Sequence, residues 1–228
     1  MCTWLHNLGF SLQKARFVSD HLAAAKRLAW LAEKWPSIGR AAQRGQGLIL
    51  CEDEASFAQG GSLRAPWARR GHQPEVPTSG KRTGYQVFGA IEYFSGRLFS
   101  QGIEGRVHSA SSQTFLQMIL EHTPAHLLLI HDGARYHPSA SPQAFLMAHS
   151  DRLTQHPLPS YSPAYNPLEY LWKKTKQRAT HNHYFQEFAA LTVSVDKALA
   201  YFATHPEEVL GLFGRYCEES GLALKQAA

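Results

Sequence analysis

The sequence has few cysteines and no long apolar run, and these two absences exclude several classes of protein. Its three cysteines, Cys2, Cys51 and Cys217, are scattered and lack metal-ligand spacing, which excludes a disulfide scaffold and a zinc finger. The longest apolar run of note, Leu127–Ile130, is far shorter than the roughly 20 residues that span a bilayer. The N-terminus lacks a basic segment followed by an apolar one, so nothing marks the chain for export. We therefore expect a soluble cytoplasmic protein with no membrane partner.

Charged residues are scarce and unevenly distributed. They make up 18% of the 228 residues, with a net charge of +5, while 44% of the chain is hydrophobic; this usage is typical of one globular domain with an appendage. Lys and Arg concentrate in three segments: residues 1–50 hold Lys14, Arg16, Lys26, Arg27, Lys34, Arg40 and Arg44, residues 64–106 hold Arg64, Arg69, Arg70, Lys81, Arg82, Arg97 and Arg106, and residues 173–178 hold Lys173, Lys174, Lys176 and Arg178. Such clusters suit a polyanion, because neutralised phosphates release their counterions. Charge alone does not separate a DNA-binding surface from a solvated one.

Hydrophobic periodicity predicts an α/β protein with a mixed sheet. The predicted strands are 47–53, 85–94, 97–104, 126–132 and 153–158, and the first two are separated by a Gly-, Pro- and Arg-rich excursion over 58–83. The predicted helices are 19–35, 111–122, 142–149, 166–179, 187–203 and 206–218. Three strands followed by alternating helices and strands imply a five-stranded mixed sheet with helices on its faces. In such a sheet the first and fourth strands can lie adjacent and parallel.

Three carboxylates stand where such a sheet could gather them. Asp53 and Asp132 end the first and fourth predicted strands, and Glu169 lies in the first turn of the helix after the fifth. Parallel α/β sheets place their chemistry beyond the carboxyl ends of strands. Each residue also has a structural interpretation. The aspartates could form turns, and Glu169 could complete a capping box begun by Asn166 or pair with Lys173 four residues later.

Carboxylates that converge at one sheet edge repel one another unless a cation binds between them. Oxygen ligands without histidine or cysteine favour Mg²⁺ or Mn²⁺ over zinc. Two such ions, held by shared carboxylates, can activate a water molecule and stabilise the departing oxygen of a phosphodiester. Taken together, the residues favour a phosphodiester-cutting site beside the basic segments.

The sequence around each carboxylate forms a motif. The first is Asp53-Glu54-Ala55-Ser56-Phe57, the second is Asp132-Gly133-Ala134-Arg135-Tyr136-His137, and the third is a proline-rich turn over 158–163 with Asn166-Pro167-Leu168-Glu169-Tyr170-Leu171-Trp172. The gaps between the carboxylates hold 78 and 36 residues. This arrangement resembles the DDE transposases of bacterial insertion sequences, specifically the insertion sequence 630 family, the bacterial mariner-like branch. The resemblance covers roughly residues 5–220.

The resemblance implies a ribonuclease-H-like fold and an acidic triad of Asp53, Asp132 and Glu169 that holds two Mg²⁺ or Mn²⁺ ions. It implies double-stranded DNA as the partner, both transposon ends and target, with self-association as a dimer on DNA and a nucleoid-associated location in the cytoplasm. The expected activity is cleavage of DNA at transposon ends and strand transfer into target DNA. The expected DNA contacts are Arg64, Arg69, Arg70, Lys81, Arg82, Lys173 and Lys176, with His137 as an accessory residue.

Two departures from the family pattern shape the expected organisation. Gly133 stands where the middle motif often has Asn, which leaves the metal ligand in place. Complete members carry an N-terminal helix-turn-helix region, and only residues 4–11 resemble its tail. We therefore expect residues 1–45 to be a remnant of that DNA-binding region with a linker helix, 46–182 to be the catalytic domain, and 183–228 to be a C-terminal helical extension.

Two other functions stay open at the level of sequence. A catalytically silent, truncated DNA-binding remnant would at most interfere with a full-length transposase; the missing N-terminal region favours it, and the intact triad opposes it. A different ribonuclease-H-like nuclease, such as a resolvase, is disfavoured by the proline-rich turn before Glu169. Trp172 is interpreted as a core residue rather than a DNA-stacking one. The tripeptide 181–183 shares its letters with a nuclease motif only by coincidence, because that motif's residues are dispersed.

Overall fold

The computed structural model describes residues 4, 7–8, 24–78, 80, 83–103, 105, 108–132, 140–159 and 166–220. In chain order the elements are α1 (Ala24–Ala29), a π-helical turn (Trp30–Lys34), α2 (Trp35–Gln43), β1 (Leu48–Ala58), β2 (Gly84–Glu92), β3 (Leu98–Ile103), α3 (Ser109–His122), β4 (Leu127–Asp132), α4 (Ala140–Ala148), β5 (Leu153–Leu158), α5 (Leu168–Ala179), α6 (Phe188–Thr204) and α7 (Pro206–Ser220). None of the helices within these ranges is long and apolar enough to cross a membrane.

The five strands form one mixed sheet in the order β3-β2-β1-β4-β5. β2 pairs antiparallel with β1 and β3, whereas β4 pairs parallel with β1 and β5. Gly96, with φ at 71°, occupies the turn between β2 and β3, because this left-handed backbone conformation costs a glycine little. The predicted mixed sheet, with its first and fourth strands adjacent and parallel, is confirmed.

Each face of the sheet has its own apolar core. The larger core lies under α5 and α6 and includes Ile49, Cys51, Phe57, Ile130, Leu158, Leu171 and Leu191. The smaller core lies under α3 and includes Leu50, Phe88, Leu129, Phe115 and Ile119. Because successive side chains of a strand point to opposite faces, odd-numbered residues of β1 and even-numbered residues of β4 face α5.

β1 is longer than predicted. The sequence pattern predicts a strand that ends at Asp53, but antiparallel pairing with β2 continues to Ala58, opposite Gly84. The parallel pairing with β4 stops earlier, at Cys51 and Ile130. Asp53 therefore lies just beyond the parallel part of β1 rather than at the end of the strand, because β2 continues to supply backbone hydrogen bonds.

The predicted helix end at Pro36 is wrong. The helix passes through the π-helical turn, in which the Trp35 N–H donates to the Trp30 carbonyl, and α2 then runs on to Gln43. Pro36 falls in the first turn of α2, where its missing N–H is tolerated. The predicted start of this helix, at Ser19, lies outside the described residues.

Candidate active site

Asp53 and Asp132 occupy matching positions on neighbouring parallel strands. The last parallel pair of β1 and β4 is Cys51 with Ile130, and each aspartate lies two residues further along its strand. Both side chains therefore face α5; across β5, Asp132 pairs with Leu158, which belongs to the core under that helix. Asp53 is 8% exposed, and Asp132 is half-buried. The expected proximity of these two carboxylates is supported by this register.

The indole of Trp172 fixes one oxygen of the Asp53 carboxylate. Its Nε1–H donates a buried hydrogen bond of 2.9 Å to Asp53 Oδ2, and its ring packs edge-on against Phe57 with centroids 6.2 Å apart. Gly89 lies opposite Asp53 on β2 and makes room for this ring, because a Cβ at Gly89 would lie 2.5 Å from Trp172 Cη2. Outer hydrogen bonds of this kind orient carboxylates that bind metals.

Asn166 joins the start of α5 to β1. Its side-chain N–H donates to the Glu52 carbonyl at 3.0 Å, and its Oδ1 accepts from the Leu168 N–H at 3.2 Å. Both bonds are buried, so they hold the first turn of α5 beside the residue that precedes Asp53. The helix begins at Leu168, with Pro167 as its N-cap. This start is two residues later than the predicted one.

Glu169 lies in the first turn of α5, on the side of Trp172. It precedes Trp172 by three residues, close to one helical turn, so the two side chains are neighbours on the helix surface. Asn166 caps this turn by accepting from the Leu168 N–H, and the Lys173 ammonium lies 4.7 Å from the Tyr170 ring centre. Among the hydrogen bonds and ion pairs described for this turn, none joins the Glu169 carboxylate to Asn166 or to Lys173.

The three carboxylates suit a divalent cation by their chemistry, because oxygen donors are those that Mg²⁺ and Mn²⁺ prefer. Their side chains are not gathered around one point: within the described ranges, no three side chains of His, Cys, Asp or Glu are arranged to hold a metal ion. The triad of Asp53, Asp132 and Glu169 therefore stays a prediction. It is supported by the register of the two aspartates and by the position of Glu169 beside Trp172.

The predicted DNA-binding residues fall into three groups. The excursion between β1 and β2 carries the exposed side chains of Arg64, Arg69 and Arg70. Helix α5 carries Lys173 and Lys176. Outside the described residues lie Lys81, Arg82 and the accessory residue His137. The structure brings the start of the excursion to the segment that follows α5.

The excursion is anchored to the segment that follows α5. Ser62 forms a parallel bridge with His181, and the Arg64 N–H donates to Asn182 Oδ1 at 2.9 Å. Gly61, with φ at 67°, allows the close approach, because a Cβ there would collide with the carbonyl oxygen of His183. The start of the excursion is thus held in a defined position on the protein.

The imidazole of His181 lies among cations. Its Nδ1 is 2.6 Å from the Ser62 hydroxyl oxygen, and its Nε2 is 3.4 Å from Arg64 Nε. Burial lowers the pKa of His181 below its ordinary value, and the positive charges of Arg64 and Lys176 lower it further. At neutral pH the ring is therefore uncharged.

Sequence reasoning missed the roles of Trp172, Gly89 and His181. Trp172 is a core residue as predicted, 3% exposed, but its bond to Asp53 joins positions 119 residues apart and has no sequence signal. A glycine inside an apolar strand often marks the close approach of another group, so Gly89 was the one available sign. His181 was set aside as a chance match, although it contacts the basic excursion.

A protein-family model described as DDE superfamily endonuclease matches residues 48–192, a span that includes all three carboxylates. The insertion element IS630 uncharacterized 39 kDa protein of Shigella sonnei is 28% identical over 141 residues, and the match covers 59% of this chain and 39% of that protein. The chain thus spans about two fifths of the length of this curated relative. Both findings confirm the resemblance stated from the sequence motifs.

Solved structures of the Mos1 transposase share the fold. The paired-end complex with the left transposon end aligns with a TM-score of 0.64 at 14% identity, covering 96% of this chain and 69% of that one. The mariner paired-end complex with Mn aligns at 0.62 and 13% identity, covering 98% and 70%. The Mos1 catalytic domain aligns at 0.54 and 11% identity, covering 92% of this chain and all of that one. The expected ribonuclease-H-like α/β fold is confirmed.

Proposed function

The chain belongs to the DDE superfamily endonucleases, and we propose that it is the catalytic part of a mariner-like bacterial transposase. Its activity would be cleavage of DNA at transposon ends and strand transfer into target DNA. The observation that carries the proposal is the matching position of Asp53 and Asp132 beneath α5, whose first turn holds Glu169. The family match spans all three residues.

In this proposal Asp53, Asp132 and Glu169 hold two Mg²⁺ or Mn²⁺ ions. Solved Mos1 complexes with Mn and with Mg support the choice of metal. Such ions, when bound, activate the attacking water or 3′-hydroxyl and stabilise the departing oxygen of the phosphodiester. Trp172 orients the Asp53 carboxylate through the bond to Oδ2, and Asn166 holds the first turn of α5 against β1.

Double-stranded DNA is the proposed partner, as the transposon-end complexes of Mos1 support. The exposed arginines of the excursion, together with Lys173 and Lys176 of α5, would contact phosphates without reading sequence. We further propose that the chain self-associates as a dimer on DNA and lies at the nucleoid. Residues 46–182 would form the catalytic domain, flanked by a segment with a linker helix at 1–45 and a helical extension at 183–228.

Nicking of an element-end duplex in Mn²⁺ or Mg²⁺ tests the proposal. Wild-type protein should nick the duplex, and Glu169→Gln should abolish nicking because it removes the charge that holds metal while keeping the size of the side chain. Thermal unfolding and salt-dependent DNA binding of this variant should stay close to wild type. Glu187→Gln, the same change at the exposed N-cap of α6, is the matched control and should nick normally.

Two results would contradict the proposal in different ways. Retained nicking in Glu169→Gln would move the third ligand elsewhere. No nicking by wild type, even with a helix-turn-helix region supplied upstream, would favour the silent DNA-binding remnant.

A further inference from the structure

His181 lies just beyond the end of α5, in contact with Arg64 of the excursion. Arg64 Nε lies 3.4 Å from His181 Nε2, and the backbone N–H of His181 donates to the Lys176 carbonyl at 2.9 Å. The Lys176 ammonium lies 5.8 Å from the centre of the Phe57 ring. Both cations lower the pKa of this histidine, as expected when positive charges lie close by. The excursion and α5 therefore concentrate positive charge at one place on the surface.

The tautomer of His181 decides whether the Ser62 hydroxyl donates to the ring or accepts from it. Arginine can only donate hydrogen bonds, so the long contact from Arg64 Nε makes His181 Nε2 the acceptor. The neutral ring then carries its proton on Nδ1 and donates it to the Ser62 oxygen, 2.6 Å away. The Ser62 O–H is thereby left to donate to a further group beside the two cations.

The cluster has donors and positive charge but no anion of its own. Among the residues that the structure describes, no carboxylate forms an ion pair with Arg64 or Lys176. The Ser62 hydroxyl and the Arg64 guanidinium both contact the His181 ring, and Lys176 adds a positive charge from the last turns of α5; donors and charge of this kind match the oxygens of a phosphate. We propose that Ser62, Arg64, Lys176 and His181 form a subsite for one phosphate of the DNA backbone, with His181 positioning Ser62 and Arg64.

The subsite rests on the proposed function and adds a position to it. Lys176 follows Glu169 by seven residues on α5, which is about two turns and about 10.5 Å along the axis on nearly the same side of the helix. That separation is about three base-pair rises of duplex DNA. The subsite would hold a phosphate other than the one that is cut.

The local backbone makes this a fixed arrangement rather than a chance meeting of two long side chains. Arg64 is held through its N–H on Asn182, and Asn182 itself has a left-handed backbone with φ at 57°, a conformation that Asn tolerates better than most residues. Gln59 donates from its side chain to the carbonyls of Phe185 and Gln186 at 3.0 and 3.1 Å. The base of the excursion is therefore attached at both ends of the segment 181–186.

The salt dependence of duplex binding tests the subsite. The logarithm of the affinity falls against the logarithm of salt concentration with a slope of about −0.9 for each phosphate neutralised. If Arg64 and Lys176 hold the same phosphate, the double variant Arg64→Ala/Lys176→Ala should make the slope shallower by about 0.9 in total. Ser62→Ala should weaken binding with no change of slope, because it removes a donor without a charge.

Matched controls separate this subsite from general charge. Lys174→Ala removes a lysine that lies on α5 within 3.4 Å of Gln177, and Arg97→Ala removes an arginine that covers the Phe99 ring at 4.6 Å; neither should change the slope. A slope change of about 1.8 in the double variant would mean two separate phosphates and would overturn the shared subsite.

Two further outcomes distinguish the subsite from the proposed function. If the wild-type chain binds duplex DNA but the Arg64→Ala/Lys176→Ala variant shows the same salt slope as the two controls, the subsite is overturned and DNA binding still stands. A wild-type chain without salt-dependent duplex binding would overturn both.

Discussion

On β1, and likewise on β4, two consecutive residues point to opposite faces of the sheet. Asp53 and Asp132 face α5, where an indole and the first turn of a helix meet the strands. Glu52 and His131, their neighbours in sequence, face the α3 side and are each 1% exposed. On each strand, consecutive residues therefore place one carboxylate at the candidate site and one polar group in the core on the opposite face.

This difference shows that acidic character alone does not define the site. Glu52 carries a carboxyl group as Asp53 does and is more deeply buried, but it lies on the face where Phe88 and Phe115 stack at 5.5 Å. Helix α5 brings Glu169 and basic residues to the other face. The predictions below use the neighbours on the two faces as matched pairs.

The largest effect is expected for Asp53→Asn against Glu52→Gln. Loss of a metal ligand should reduce nicking by more than the roughly 10- to 100-fold typical of an outer-shell partner, whereas Glu52→Gln should change it little. Nicking rates of both variants, measured in Mn²⁺ with matched folded fractions, check this. Equal losses in the two variants would mean that the two faces do not differ in function.

Trp172→Phe should have the next largest effect. It keeps an aromatic ring in the core but removes the donor to Asp53, so Mn²⁺ affinity measured by calorimetry should fall by about 10- to 100-fold. Trp35→Phe is the control, because Trp35 is 4% exposed in the same core and its indole nitrogen has no hydrogen-bond partner among the described residues. Equal metal affinity in both variants would leave Trp172 with a packing role alone.

These two pairs show how far the sequence could predict the site. The pattern of strands and helices predicts that β1 and β4 can lie adjacent and parallel, which brings Asp53 and Asp132 to the same edge of the sheet; that they share a face follows from the observed register. The bond from Trp172 to Asp53 could not be predicted, because periodicity describes neighbours along an element and not contacts across 119 residues. The same limit hid the attachment of Ser62 to His181.

The ends of strands and helices also could not be predicted from the sequence where a partner strand or an unusual turn determines them. β1 continues past Asp53 because β2 pairs with it up to Ala58. The helix continues past Pro36 because a π-helical turn precedes α2. For β1 the deciding hydrogen bonds come from a distant strand, and for the helix they come from a local π-helical turn that the apolar periodicity does not signal.

A smaller effect is expected for Gly89→Ala, on stability. The new methyl group would lie 2.5 Å from Trp172 Cη2 and 3.1 Å from Leu168 Cδ2, and such overpacking costs about 1–3 kcal/mol. Urea unfolding should show the loss. Gly211→Ala on α7, where a Cβ meets nothing within 4 Å, should instead stabilise by about 0.5–1 kcal/mol, as alanine does in helices.

The double variant Gly89→Ala/Trp172→Phe tests whether the loss of stability in Gly89→Ala comes from the Trp172 ring. Phenylalanine lacks the indole atoms that the methyl group would meet, so the two changes should couple by about 0.5–3 kcal/mol rather than add. Purely additive losses would mean that the strain at Gly89 comes from another neighbour.

Metal-dependent thermal unfolding tests the central claim most directly, because it needs neither DNA nor catalysis. If the carboxylates facing α5 bind metal, millimolar Mn²⁺ should stabilise wild-type protein by about 2.7 kcal/mol at a hundredfold excess over the dissociation constant, since the unfolded chain has no such site. Asp132→Asn should lose this stabilisation, and Glu52→Gln should keep it. An equal shift of the unfolding temperature in wild type and Asp132→Asn would contradict the account and remove Asp132 from the metal site.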